Sequence, residues 1–311
     1  MMKRTIILSL LVFFLTYLHC VRLPFENSIE AEESRNIYWD IISGKLAYSR
    51  LEGTTGYLFI ANGETKKVTL VKKADSVQFA DLTWKYDGSL ITFMSFDINK
   101  NKMQLYNITL DGKTMEQIYP ADENCYSPSW SHDGRLAYVR GNSVAHKVEI
   151  WIDGNPFFYK ANCFNSRPAW SPDGKNMIVT ITNTSTMGSL YKVYLSDTSF
   201  TPFTNAAGNR STELYYAPMY SPDGSKIAYV KSVFVIGAFA NEIWIMNADG
   251  SNPQRLTSGH HDFSPTWSPD GKYIAFTRHI SDKPYIFAVN VDTRMVVQIT
   301  QNEGQYPAWI K

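Results

Sequence analysis

The chain has 311 residues, with 30 Lys and Arg against 29 Asp and Glu, a formal charge of +1. No basic stripe or run stands out, which argues against nucleic acid as a partner. Apolar residues make up 44% and aromatic residues 14%, enough to cover both faces of many small sheets.

The first 19 residues form a separate object. Lys3 and Arg4 precede an apolar run from Ile6 to Leu18. That run is too short for a comfortable membrane span and predicts a secretory signal. Cys20 ends the run, where a bacterial lipoprotein signal places the cysteine that becomes lipidated. His19 departs from that pattern, because a small residue is usual there. Residues 20–36 are expected to be a tether, extended or weakly helical. Acyl chains on Cys20 would hold the protein on a membrane.

From residue 37 to 311 one unit recurs. Its inner element is a short strand, an aromatic anchor and a tight Asp-Gly turn, clearest in Pro265-Thr266-Trp267-Ser268-Pro269-Asp270-Gly271. Pro269 presets φ at the second turn position, Asp270 bonds back to local backbone, and Gly271 tolerates positive φ. The other anchors are Trp84, Trp130, Trp170, Tyr220 and, two residues before Lys311, Trp309. Successive anchors are 46, 40, 50, 47 and 42 residues apart, a mean of 45. A period of roughly 40–50 residues with four strands per unit is the mark of a β-propeller. A second strand follows each turn, as in Lys226–Val230. A third ends in another turn, as in Glu242–Asn247 with Asp249-Gly250, and a short outer strand closes the unit. The first unit has Lys45–Tyr48, Tyr57–Ala61 and Lys67–Val71 but lacks a good inner strand. Tyr306-Pro307-Ala308-Trp309 supplies one. The expected fold is therefore all-β: a six-bladed β-propeller of four-stranded antiparallel blades, a monomeric ring closed by the C-terminal strand joining the first blade. Seven blades is the alternative count.

The run Pro-x-Trp-Ser-Pro-Asp-Gly-Lys-x-Ile-Ala-Phe, followed in the preceding unit's pattern by Ile-Trp-Ile-Met-Asn-Ala-Asp-Gly-Ser and Arg-Leu-Thr, resembles the TolB-type propeller repeat of bacterial envelope proteins. The resemblance covers residues from about 40 to 311. It implies a repeat type and an envelope setting, with no particular activity.

Loops entering the inner strands converge on one mouth of a propeller's channel, where ligands commonly sit. The ligand-binding candidates there are Asp81, Asn124, Tyr126, Asn165, Arg167, Glu213, Tyr216, His261, Asp262 and Tyr306. Aromatics mixed with amides and charges suit a peptide or a sugar. Cys125 and Cys163 precede inner strands of consecutive blades and could form a disulfide in an oxidising envelope. His260-His261-Asp262 lacks a third ligand at useful spacing, so no metal and no cofactor is expected. The aspartates of the Asp-Gly turns are explained by the turns. Val233–Ala240 is an apolar stretch that reads as a partner contact or an extended hairpin. No Gly-x-Ser-x-Gly elbow occurs, which argues against a hydrolase.

These readings converge on a non-catalytic, lipid-anchored envelope protein. Its ring would be a scaffold for a protein or peptide partner in the cell envelope, on the periplasmic or surface face of a membrane. The alternative is a carbohydrate-binding or carbohydrate-active propeller using acidic residues at the channel mouth, which would need paired carboxylates across the ring.

Overall fold

The structure is a computed structural model that describes residues 28–120, 122–142, 147–159, 167–183, 186–204, 213–235, 238–258 and 261–311. Among these, a short helix α1 (Ile29–Arg35) precedes strands throughout. The first three strands are β1 (Lys45–Glu52), β2 (Thr55–Asn62) and β3 (Lys67–Asp75). Next come β4 (Val77–Trp84), β5 (Leu90–Asp97), β6 (Lys102–Thr109) and β7 (Met115–Ile118), then β8 (Asn124–Trp130), β9 (Leu136–Asn142), β10 (Lys147–Ile152) and β11 (Asn155–Tyr159). The next set is β12 (Ala169–Trp170), β13 (Asn176–Asn183), β14 (Thr186–Tyr194) and β15 (Phe200–Pro202). It is followed by β16 (Glu213–Tyr220), β17 (Lys226–Val235), β18 (Ala238–Asn247) and β19 (Gln254–Arg255). The last strands are β20 (His261–Trp267), β21 (Tyr273–Ile280), β22 (Lys283–Asn290), β23 (Val296–Gln298) and β24 (Gln305–Ile310).

These strands form four-stranded antiparallel sheets in sequence order. The sets β16–β19 and β20–β23 are joined by a single parallel bridge, Asn241 to His261. The C-terminal strand β24 pairs with β1, and Trp309 stands opposite Leu46, as the sequence spacing predicts. Ile37 forms one isolated bridge to Thr300, and Trp39–Ile41 is a 3₁₀ turn. Among the described residues, those before β1 therefore add no competing inner strand to that sheet.

Turn chemistry sets the inner hairpins. In the turn after Trp170, the Gly174 N–H donates to the Ser171 carbonyl at 2.9 Å, and Gly174 has φ +66°. The Ser171 hydroxyl donates to Asp173 at 2.6 Å and accepts from the Asn176 N–H at 3.1 Å. The Lys272 N–H likewise donates to Asp270 at 3.1 Å. Each of these aspartates thereby replaces water at an otherwise open backbone group.

The anchors also staple one blade to the next. The indole N–H of Trp84 donates to the Ala308 carbonyl at 2.9 Å, Trp170 to Ser129 at 2.9 Å, and Trp267 to Met219 at 3.1 Å. In each pair the acceptor is the residue just before the neighbouring anchor. Trp130 uses the Thr92 hydroxyl instead, at 2.8 Å. Buried tryptophans thus spend their one polar atom on blade packing. The small residues eight after an anchor, Thr92, Ala228 and Ala275, are fully buried where blades meet, and Ile178 fills the same place.

Helix α1 lies inside the expected tether and is docked. Ser28 caps it by accepting from the Ala31 N–H at 3.1 Å. The Ser34 hydroxyl and the Glu30 carboxylate accept from the Val68 and Leu70 N–H groups at 2.8 Å each. Strand β3 is the outer edge of its sheet, and the helix covers that edge, a recognised protection against strand addition. Glu33 is 1% exposed and accepts from Tyr48 at 2.9 Å, from Asn302 at 2.8 Å and from Arg50. Residues 1–27, with the expected signal and Cys20, lie outside the described residues.

Candidate functional site

Five inner strands, β4, β8, β16, β20 and β24, skip a register step at the same place. The skips fall between Ala80 and Thr83, Tyr126 and Ser129, Tyr216 and Met219, and Phe263 and Thr266. β24 skips between Gln305 and Ala308. At each skip one non-glycine residue is left-handed: Asp81 (φ 51°), Ser127 (53°), Ala217 (50°), Ser264 (52°) and Tyr306 (53°). Each stands three residues before its anchor, and Arg167 holds the same place before Trp170. Such bulges re-aim side chains and concentrate beside functional sites. A left-handed non-glycine residue costs of order 1–3 kcal/mol unless its surroundings hold it. The repetition of this feature places a bulged residue on five inner strands, with Arg167 at the equivalent position just before β12.

Three of those six positions carry a charge or a large polar side chain, and the three lie together. Asp81 Oδ2 accepts from the Ser127 N–H at 3.2 Å and from its hydroxyl at 3.1 Å. Arg167 reaches over the intervening inner strand, and its Nη2 donates to the Leu82 carbonyl at 2.9 Å. Its Nε is buried without a hydrogen-bond partner. Among the described residues no carboxylate lies within ion-pair distance of Arg167. Burial pulls the Arg167 guanidinium below its ordinary pKa, and the nearby Asp81 charge offsets part of that. Burial also pushes the Tyr306 phenol up to about 12 and raises that of Tyr126, with Asp81 adding to both. Asp81, Tyr126, Arg167 and Tyr306 therefore form one electrostatic cluster, drawn from the inner elements of four blades.

The remaining candidates are placed differently. Asn124 accepts from the Met103 N–H at 3.0 Å, a bond between consecutive blades. Asp262 is 0% exposed, and Arg278 grips both its oxygens, at 2.8 and 2.9 Å. Glu213 is bound by Lys231 at 2.8 Å and by the Tyr215 hydroxyl. Tyr216 is largely enclosed, and burial raises its phenol well above the ordinary range, with Asp262 adding to the shift. His261 is exposed and stacks on Phe263 at 6.4 Å, and Phe263 meets His279 edge-on at 5.4 Å. Asn165 and Cys163 lie outside the described residues. Cys125 is a free, fully buried thiol, and burial pushes it up to about 11. The stretch Val233–Ala240 is part of a hairpin that carries β17 and β18 as far as Val235 opposite Ala238, and Phe239 is 38% exposed beside its tip.

Asp262 and Glu213 belong to a recurring device that sequence spacing did not reveal. A cation two residues after an aromatic of the second strand stacks on rings and is held by a carboxylate. Arg278 lies over Phe276 and Phe287 at 5.2 and 5.0 Å and binds Asp262. Arg140 lies over Trp151 at 4.3 Å and binds Glu123 at 2.5 Å. Lys231 lies over Trp244 at 4.9 Å and binds Glu213. Arg50 lies over Tyr57 and Phe59 at 5.3 and 5.2 Å and binds Glu33. In the first three the acid comes from the start of an inner strand; in the fourth it comes from α1. A cavity of about 450 Å³ beside the third copy is walled by Phe203, Tyr215, Tyr229 and Trp244. Its ammonium, Lys231, is already committed to Glu213. In the channel cluster, by contrast, the Arg167 Nε remains unpaired and Arg167 has no carboxylate within ion-pair distance among the described residues.

Residues 159–311 match the TolB beta propeller domain. A Tol-Pal system protein TolB of Anaeromyxobacter dehalogenans (strain 2CP-C) is 38% identical over 104 residues, 32% of this chain and 21% of the relative. The matched region is thus about a fifth of the length of that curated relative. Among solved structures, TolB from Acinetobacter baumannii superposes with a TM-score of 0.72 at 21% identity, covering 86% of this chain and 67% of that one. A putative TolB from Agrobacterium tumefaciens gives 0.63 at 21% identity, over 85% and 91%. At these identities the structural likeness shows the fold.

Proposed function

Since this chain is a TolB-like β-propeller protein, we propose that it is a non-catalytic, lipid-anchored scaffold of the bacterial cell envelope that binds a protein or peptide partner at the mouth of its channel. The ring has six blades, and β24 completes the first of them. Pairing of β24 with β1 supports this, as does the bond from Trp84 to Ala308. Cys20 carries the lipid, and residues 20–28 lead from it to α1. The relatives named Tol-Pal system protein TolB support an envelope setting and a protein partner.

The observation that carries the reading is the channel cluster: an arginine and an aspartate lie together within the electrostatic reach of two tyrosines, and the Arg167 Nε is left over after the fold is satisfied among the described residues. Recognition sites combine such apolar and aromatic walls with a few placed polar groups. The acids Asp262 and Glu213 are each bound to a cation, which leaves no second free carboxylate opposite Asp81 among the described candidates. The carbohydrate-active alternative loses its paired acids for that reason.

Site-specific photo-crosslinking in the intact, membrane-associated protein tests the proposal. A photoreactive residue at His261 on the mouth should capture a discrete protein partner. One at Tyr86, in an Asp-Gly turn at the far end of an inner strand, should not. Equal capture from both faces, or none from the mouth, would reject the scaffold reading. Separately, Cys20→Ala should release the protein from the membrane fraction.

A further inference from the structure

We infer that the floor of the channel mouth, between Arg167 and Asp81, is a subsite for a primary carboxamide, the side chain of an Asn or Gln in the bound partner segment. The inference rests on the peptide-binding reading and names the chemical group recognised.

Arg167 donates through Nη2 to the Leu82 carbonyl, next in the chain to Asp81, so the guanidinium and the carboxylate are neighbours. They are not an ion pair: no contact within 4.0 Å joins them. Arg167 keeps a buried Nε–H with no acceptor among the described residues. Asp81 uses one oxygen, Oδ2, for both bonds from Ser127, and the other takes no hydrogen bond among the described residues. A donor without an acceptor thus stands beside an acceptor without a donor.

Charge decides among ligands. A carboxylate would satisfy Arg167 and be repelled by Asp81. An ammonium would do the reverse. A carboxamide is neutral and carries an acceptor oxygen and N–H donors on one planar group. It can take the Arg167 Nε–H on its oxygen and give an N–H to Asp81. An unmade bond at the buried Arg167 Nε is costly, so the site discriminates against groups that offer it no acceptor. Tyr126 and Tyr306 stand beside Asp81 as aromatic walls for the rest of the segment.

The test uses random peptides displayed on phage, selected on the full-length protein. A selected peptide is then synthesised together with its Asn→Asp or Gln→Glu counterpart. Affinities are measured by calorimetry for the wild type, Arg167→Met and Asp81→Asn. Asn accepts the left-handed conformation at position 81 more readily than most residues, and thermal melting of both variants checks their folding. The expected result is that the wild type prefers the amide peptide about tenfold or more over the acid. Arg167→Met should weaken the amide peptide by a similar factor. In Asp81→Asn the preference should shrink toward unity, because the charge that repels the acid is gone. A merely structural role for position 81 would lower both affinities together. Acid preferred over amide in the wild type, or indifference of binding to Arg167→Met, overturns the inference while the scaffold reading stands. If no displayed peptide binds, the peptide-binding reading itself falls.

Discussion

Removing the Glu33 carboxylate should loosen the N-terminal segment and the ring together. Glu33 sits 1% exposed between Arg50, Tyr48 and Asn302, so one side chain ties α1 to β1 and to the segment before β24. Arg50 is itself 8% exposed and stacked on Tyr57 and Phe59. Taking one partner out of a buried pair leaves an uncompensated charge, typically a loss of about 3–5 kcal/mol. Arg50 keeps a second carboxylate, Glu52 at 2.9 Å, which is largely exposed. We therefore place Glu33→Ala at the lower end, about 3 kcal/mol, a large share of a typical total of about 5–15 kcal/mol. Equilibrium urea unfolding of the full chain, with fluorescence and circular dichroism required to coincide, measures it. Arg50→Met alone should cost a comparable amount. The double variant Glu33→Leu/Arg50→Met should recover most of the loss, because neither charge is then stranded. Hydrogen exchange at Val68 and Leu70, whose N–H groups bond to α1, should rise in Glu33→Ala. A cost below about 1 kcal/mol, or additive single effects, would refute the view that α1 is part of the first sheet.

Three further outcomes follow from the same coordinates. Gly44 has φ +71°, and a Cβ there would lie 2.2 Å from the Ile310 carbonyl. Gly44→Ala should therefore cost more than about 1 kcal/mol in urea unfolding and raise exchange selectively in β24. For Glu213, burial pushes the pKa up, but bonds from Lys231 and Tyr215 outweigh it and hold the group below its ordinary value. Its stabilisation is thus present above the unfolded pKa, near 4.5, and is lost as pH falls through the lower folded value. The stability gap between wild type and Glu213→Gln should be visible at neutral pH and close in acid, as read from unfolding curves at several pH values. Cys125, buried with its thiol pushed up to about 11, should resist a thiol reagent at neutral pH until the protein unfolds; rapid labelling of native Cys125→Ser-sensitive thiol would contradict its placement.

The strand inventory was legible because it is written in spacing. A tryptophan or tyrosine, a turn and an apolar run recur, and the displaced copy at Trp309 finds its partner Leu46. Short-range rules sufficed there, since each hairpin is closed by residues within one turn of each other. The bulges were half legible. A proline follows Ser127, Ala217, Ser264 and Tyr306, but Asp81 is followed by Leu82 and is bulged all the same. The split among the acids was not legible. Whether Asp262 faces Arg278 or the channel depends on strand register, which opposes those two residues. Asp81 falls in the register skip and has no residue opposite it in β5, where Ala80 faces Met94 and Thr83 faces Thr92. The weakly helical reading of the leader has a local signal: Ser28 as cap, with Glu30 and Glu32 in the first turn. What that signal could not show is that Glu33 would supply, from outside the ring, the acid that other blades draw from their inner strands.

The central claim is that binding happens at the bulged mouth of the channel. Hydrogen–deuterium exchange with a selected peptide, read residue by residue, tests it most directly. The account predicts new protection in the segments around Asp81, Tyr126, Arg167 and Tyr306, with the Asp-Gly turns at 87–88, 133–134 and 270–271 unchanged. Protection confined to those turns, or to the outer strands β3, β7 and β23, would contradict it.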